Sequence, residues 1–272
     1  MVSPAFQLFL FSTSRHVILP AVAAGISGIV IDWENKGKCE RQKGADTQIN
    51  HDSPETLQHV RSLTDAHIIC RINRNVCLQE CKEEIILALD GGANEIILPM
   101  VRTVAEVESV LNFVQGRCGV GILIETQAAV ELADVFGALP LSRVYVGLND
   151  LAIDRKKRNI FSAVQDGTVD HVRQHIKVPF GFAGLTLPDR GFPIPAYFLY
   201  SEMARLGCAF TFLRRSFLRD IRGKNMSIKI PQMWQALEKA FLSPAATREK
   251  NRKKLATFIR KIETGDEYSP QP

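Results

Sequence analysis

Eight short apolar runs, rich in β-branched and aromatic residues, recur along the chain. They span residues 6–11, 28–33, 67–73, 95–99, 120–125, 143–147, 178–184 and 208–213. Near-continuous apolar character without alternation is what strands covered on both faces require. Helical patterns separate the runs. Pro54 to Leu63 follows Ser53, an N-cap residue with proline at the first helical position. Residues 77–89 stop at Gly91-Gly92, and residues 103–114 open with Thr103-x-x-Glu106, a capping-box pattern. Residues 194–206 stop at Gly207.

Eight strands alternating with helices predict a parallel sheet closed on itself: α/β, a single (β/α)8 TIM barrel with a C-terminal helical extension. Such a barrel needs about 250 residues, and the chain has 272. A doubly wound open sheet is the competing architecture, but no Gly-rich dinucleotide loop follows an early strand. The reading places a catalytic barrel at residues 1–225 and a helical extension at 226–272. The extension holds a helix at 231–241 and a basic segment at 247–262, and its end from Gly265 to Pro272 is expected to fray. The basic segment reads as a solvated helix face, or else as a surface for a partner or anion.

Composition narrows the class. Hydrophobic residues make up 46% and charged residues 23%, ordinary for a globular protein. A net charge of +5 slightly favours anionic small molecules and gives no case for nucleic acid. The run from Phe6 to Phe11 is too short to span a bilayer and lacks the flanks of a signal peptide, so no membrane association is expected. Six scattered cysteines without a paired zinc spacing read as reduced thiols of a cytoplasmic protein.

In a barrel, chemistry sits where strands end. Polar residues at those ends are Asp32 and Glu34, Arg71 and Asn73, Glu125, the stretch Gly147-Leu148-Asn149-Asp150, and Arg214-Arg215. A carboxylate joined directly to an apolar strand is costly unless paired or metal-bound. Glu125 and Asp150 end neighbouring strands, so together they suit Mg²⁺ or Mn²⁺; otherwise Glu125 pairs with an arginine and Asp150 caps a helix. Arg71 is the candidate receptor for a carboxylate substrate. Asp32 and Glu34 would orient Arg71 or act as a base. At most one of Arg214 and Arg215 should face the barrel axis. The run Arg155-Lys156-Lys157-Arg158 would draw anions to the mouth or lie solvated. No histidine ends a strand near these residues.

These residues resemble the HpcH/HpaI aldolase and citrate lyase β-subunit family, from about residue 25 to about residue 220. The resemblance rests on Gly28-Ile29-Val30-Ile31-Asp32-Trp33-Glu34, Cys70-Arg71-Ile72-Asn73, residues 92–101, Gly121-Ile122-Leu123-Ile124-Glu125-Thr126 and Val146-Gly147-Leu148-Asn149-Asp150-Leu151. It implies a Mg²⁺-dependent carbon–carbon lyase that forms a pyruvate-type enolate from a 2-oxo acid. Glu125 and Asp150 would hold the metal, Arg71 the substrate carboxylate or enolate oxygen, and backbone N–H groups of Gly147, Leu148 and Asn149 the remaining oxygens. The aldolase branch carries histidine where this chain has Asn35, and the citrate-lyase-like branch carries aspartate there. The reaction therefore carries over less well than the metal site. An acyl-CoA lyase and a non-catalytic anion-binding barrel stand as alternatives. The resemblance also implies a homo-oligomer that swaps its last barrel helix, here 231–241 with Trp234 and Phe241 as anchors, and a distinctive lid at 36–50.

Overall fold

The computed structural model describes residues 6–37, 52–74 and 77–264. Most of the expected lid, residues 38–51, lies outside them. Eight strands form one parallel sheet: β1 (Gln7–Phe11), β2 (Gly28–Asp32), β3 (His67–Arg71), β4 (Glu95–Leu98), β5 (Gly119–Ile124), β6 (Arg143–Val146), β7 (Phe180–Phe182) and β8 (Phe210–Leu213). The order runs from β7 back through β1 and on to β8. The Ala209 N–H donates to the Phe180 carbonyl at 2.8 Å and the Leu185 N–H to the Phe212 carbonyl at 3.3 Å, which brings β7 and β8 together. Gly181 permits that approach, since a Cβ there would lie 2.4 Å from the Phe210 oxygen. The fold is the expected TIM barrel with C-terminal helices.

Helices α1 (Arg15–Ala23), α2 (Pro54–Leu63), α3 (Leu78–Asp90), α4 (Val104–Val114), α5 (Gln127–Glu131) and α6 (Ala133–Phe136) cover the first half of the outer surface. The caps read from sequence form here. Ser53 Oγ accepts the Thr56 N–H, and Thr103 and Glu106 make a reciprocal capping box. Then follow α7 (Leu148–Asp154), α8 (Ser162–Gln165), α9 (Thr168–His175), α10 (Ala196–Arg205), α11 (Arg215–Ile221), α12 (Met226–Leu242) and α13 (Ala245–Thr264).

The C-terminal helices differ from the sequence expectation. The helix predicted at 231–241 starts at Met226, capped by the Asn225 side chain on the Ser227 N–H, so Pro231 is interior. α12 packs against α1 and α10 of its own barrel. Trp234 Nε1 donates to the Gly25 carbonyl at 3.1 Å, and the Phe241 ring meets Phe6 at 5.8 Å. α13 is not wholly solvated either. Leu255 and Ile259 are buried, and Asn251 bonds Ser201 of α10, while Lys250, Lys253, Lys254, Arg260 and Lys261 stay exposed. No described helix is long and apolar enough to cross a membrane. Cys70, Cys77, Cys81, Cys118 and Cys208 are free thiols, and Cys39 lies outside the described residues.

Two apolar cores result. The larger lies between sheet and helices. The smaller fills the lumen with Phe9, Phe11, Val30, Ile69, Ile97, Leu123, Tyr145, Phe210 and Phe212. Beneath it, at the N-terminal ends of the strands, Glu95 is buried in an ionic plug. Arg143 Nε donates to it at 2.7 Å, Ser142 Oγ at 2.5 Å, and His67 Nε2 lies at 3.1 Å. Burial alone would raise the Glu95 pKa, but His67, Arg143 and Ser142 hold it below the usual value. The Arg143 guanidinium also lies over the Phe9 and Phe210 rings, at 4.5 and 4.8 Å. Removing one member of a buried pair typically costs about 3–5 kcal/mol. Arg143→Met is therefore expected to lower urea stability by about that much, with most of the loss recovered by adding Glu95→Gln. A single-variant loss below about 1 kcal/mol would show that the plug is not a structural necessity.

Candidate functional site

Alternate residues of a strand point to opposite faces. Val30 and Ile69 face the lumen, so Asp32 and Arg71, two positions on, face it too at its C-terminal mouth. The same parity carries Leu123 to Glu125 and Phe212 to Arg214. Register pairs Asp32 directly with Arg71. Four of the residues chosen from sequence thus converge because strand period and register demand it.

Asp32 grips Arg71 on two edges. Arg71 Nε donates to Asp32 Oδ1 at 2.7 Å and Nη2 to Oδ2 at 2.6 Å. Glu34 Oε2 lies 2.9 Å from Arg71 Nη1 but off its N–H directions, so that contact is ionic rather than a directed hydrogen bond. Asp32, Glu34 and Arg71 are each at most 1% exposed. Burial alone would lower the Arg71 pKa; Asp32 and Glu34 hold it well above the usual guanidinium value. The Asp32 N–H donates to Asp52 at 2.9 Å, and the Glu34 N–H to Asp32 Oδ1 at 3.3 Å. Asn73 accepts the N–H groups of Asn35 and Lys36, both at 2.9 Å, and is itself held by Glu84 at 3.0 Å. Asn35 is exposed, and its backbone N–H is tied to Asn73.

Glu125 stands across the mouth. Its Oε2 accepts the Met100 N–H at 3.2 Å. Met100 is left-handed, with φ of 53°, a conformation that costs a non-glycine residue roughly 1–3 kcal/mol. β5 and β6 pair Ile124 with Val146, which puts Glu125 beside Gly147. A Cβ on Gly147 would sit 2.4 Å from Glu125 Oε1, so only glycine leaves room for this carboxylate. The Gly147 N–H donates to the Ile124 carbonyl at 3.1 Å. Gly147 is therefore no donor to a substrate, contrary to expectation; its contribution is the missing side chain. Leu148, Asn149 and Asp150 form the first turn of α7, where N–H groups have no acceptor within the helix. Asp150 is buried there, favourably placed for the helix dipole.

Burial, then the carboxylates of Asp150 and Glu34, push the Glu125 carboxyl up to about 8. Arg71 and the Met100 N–H offset this only in part. Among the described residues, Asp32, Glu34, Glu125 and Asp150 share the mouth with the guanidinium groups of Arg71 and Arg214. Glu125, kept protonated chiefly by its burial and next by the Asp150 carboxylate, forms with Asp150 a donor set that fits a hard divalent cation. Among the described residues no three His, Cys, Asp or Glu side chains cage an ion by themselves. Water or substrate oxygens would have to complete the shell, as is usual for Mg²⁺.

Arg214 is the partner that sequence left undecided. Its guanidinium is 40% exposed, 4.4 Å from the Phe11 ring centroid and 3.9 Å from Asp32 Oδ2. The basic run stands apart. Arg155 is tied to Gln127 and Thr168, at 2.7 and 2.9 Å, while Lys156, Lys157 and Arg158 are exposed.

Solved structures with this fold include RipC from Yersinia pestis, 15% identical, covering 89% of this chain and 97% of that one with a TM-score of 0.54. Tryptophan synthase from M. tuberculosis aligns in two forms. The aminoacrylate-bound form is 11% identical with a TM-score of 0.55, covering 87% of this chain and 93% of that one. The open form with BRD0059 bound is 10% identical with a TM-score of 0.59, covering 86% and 93%. At these identities the likeness shows the barrel alone. No protein-family model and no curated protein matches the chain.

The Glu125 shift sets a pH dependence. The native state keeps a proton that the unfolded chain releases above 4.5, so the contribution is complete below 4.5 and lost as pH passes about 8. With chelator present, urea stability should therefore fall by up to about 5 kcal/mol from this group between those limits. Glu125→Gln should remove that slope. The same slope in both proteins would show that Glu125 does not hold the proton.

Proposed function

We propose that the chain is a divalent-metal-dependent carbon–carbon lyase that forms an enolate from a 2-oxo acid. The observation that carries this reading is the buried pair of Glu125 and Asp150 at the barrel mouth, where burial and the Asp150 carboxylate raise the Glu125 carboxyl and Arg71 offsets this only in part. Glu125 and Asp150 would hold Mg²⁺ or Mn²⁺. That ion would supply fixed positive charge to an oxyanion developing on the substrate.

The chain's own groups do the rest. Arg71 is held rigidly by Asp32, so its remaining N–H groups meet substrate oxygen without reorganising. Glu34, beside Arg71, is the carboxylate placed to take the proton from the carbon next to the carbonyl. This role falls to Glu34 because Asn35, an amide, cannot accept a proton at neutral pH. First-turn N–H groups of Leu148 and Asn149 would receive a carboxylate oxygen. The lumen below, closed by Phe11, Leu123, Tyr145 and Phe212, keeps water from the enolate.

Exchange of the pyruvate C3 protons in D₂O, followed by NMR with Mg²⁺ or Mn²⁺, tests this directly. Exchange should require the metal and fall by roughly 10²-fold or more in Glu125→Gln and in Glu34→Gln, as when a charge-stabilising group is lost. Exchange that survives in Glu125→Gln would refute the metal assignment. No exchange in the wild type would refute pyruvate as the nucleophile and direct attention to acyl-thioester substrates.

A further inference from the structure

A second polar cavity opens beside the mouth. It holds about 180 Å³ and is walled by Phe11, Ser12, Thr13, Ser14, Arg214 and Arg215, with Val30, Asp52 and Leu218 completing the lining. It adjoins the acidic cluster directly, because Arg214, which lines it, lies 3.9 Å from Asp32. From the composition and shape of this wall we infer that the cavity is a subsite for a phosphoryl group carried by the substrate, a statement that rests on the proposed reaction at the neighbouring centre.

Three features make an oxyanion the ligand. The Arg214 guanidinium in this wall lies over the Phe11 ring at 4.4 Å. Three consecutive hydroxyl residues, Ser12, Thr13 and Ser14, share the lining. Ser12 Oγ accepts the Ser14 N–H at 3.3 Å, a role that does not use its own hydroxyl hydrogen. α1 begins at this wall, and its N-cap Ser14 makes no side-chain capping bond, unlike Ser53, Thr103 and Thr126. Among the described residues Asp52 is the one acid in the lining, and its Oδ2 accepts the Asp32 N–H at 2.9 Å.

Donors of three kinds, guanidinium, hydroxyl and helix start, reach this lining from two separate chain segments, 12–14 and 214–215. That suits a tetrahedral phosphate better than a planar carboxylate, which takes its two bonds from one edge. Arg71 serves the neighbouring centre rather than this one, since it is not part of the cavity lining and two of its donors are committed to Asp32. The division of labour is then clear: the buried cluster handles the reacting end, and the Arg214 cavity holds the distal charge.

The test is titration of inorganic phosphate, a phosphomonoester such as glycerol 3-phosphate, and acetate into the full chain by calorimetry. Mn²⁺ binding is followed in parallel by electron paramagnetic resonance. Wild type should bind both phosphates at least tenfold more tightly than acetate. Arg214→Met should weaken the phosphates tenfold or more. Ser14→Asp should do the same while keeping the fold, since aspartate is a favoured N-cap, and should leave Mn²⁺ binding unchanged. Glu125→Gln should lose Mn²⁺ and keep phosphate. Phosphate binding that is absent in the wild type, or equally tight in Ser14→Asp and Arg214→Met, overturns the subsite. Inorganic phosphate binding without the ester would mean a free-anion site and also overturns it. Mn²⁺ retained by Glu125→Gln would instead overturn the metal centre alone.

Discussion

Closing eight parallel strands into a barrel puts every second strand residue into a lumen too narrow for bulk water. Each charge on that side must find its partner inside the same narrow column. At the N-terminal end the column solves this locally. Glu95 and Arg143 pair at 2.7 Å, with His67 and Ser142 satisfying the remaining carboxylate edges. The aromatic layer above, Phe9 and Phe210, packs on the Arg143 guanidinium. This end is neutral, and its role is to stabilise.

The C-terminal end follows the same geometry with more carboxylates among its described residues. Asp32 and Glu34 already satisfy Arg71, and Glu125 and Asp150 add two further carboxylates. The protein tolerates this through fixed dipoles: the Met100 N–H, paid for by a left-handed backbone, and the first turn of α7. These devices leave Glu125 protonated up to about 8 rather than neutralised. A structure selected only for stability would replace such a group with an apolar one. A buried Glu125 carboxyl raised by desolvation and by Asp150, at the opposite end from the paired plug, is the physical signature on which the proposed metal-dependent chemistry rests.

Arg214 links that centre to its surroundings. It sits on Phe11, reaches Asp32 and lines the neighbouring cavity at once. One side chain therefore faces both the acidic cluster of the mouth and the neighbouring cavity. Arg71 and Arg214 both lie over the same ring, at 5.6 and 4.4 Å, so Phe11 spaces the two guanidinium groups.

Much of this was legible in the chain. Strand runs, their two-sided burial and the helix caps at Ser53 and Thr103 are local properties, so reading them needs no tertiary information. Period-two alternation likewise put Asp32, Arg71 and Glu125 on the lumen side once a barrel was assumed. Other features belong to pairs of residues far apart in sequence, and no local pattern encodes them. Gly147 reads as a loop glycine until register sets it against Glu125. The pairing of Glu95 with Arg143 spans four intervening elements, α4, β5, α5 and α6. The true start of α12 depends on Asn225, which the more conspicuous Pro231 masks. Burial of α13 is decided by Leu255 and Ile259 finding the barrel surface, against a composition that favours solvent. The sequence by itself determined the barrel and which residues end its strands. Tertiary structure alone decided which of those charges are neutralised, because electrostatic balance depends on distances that only closure of the sheet creates.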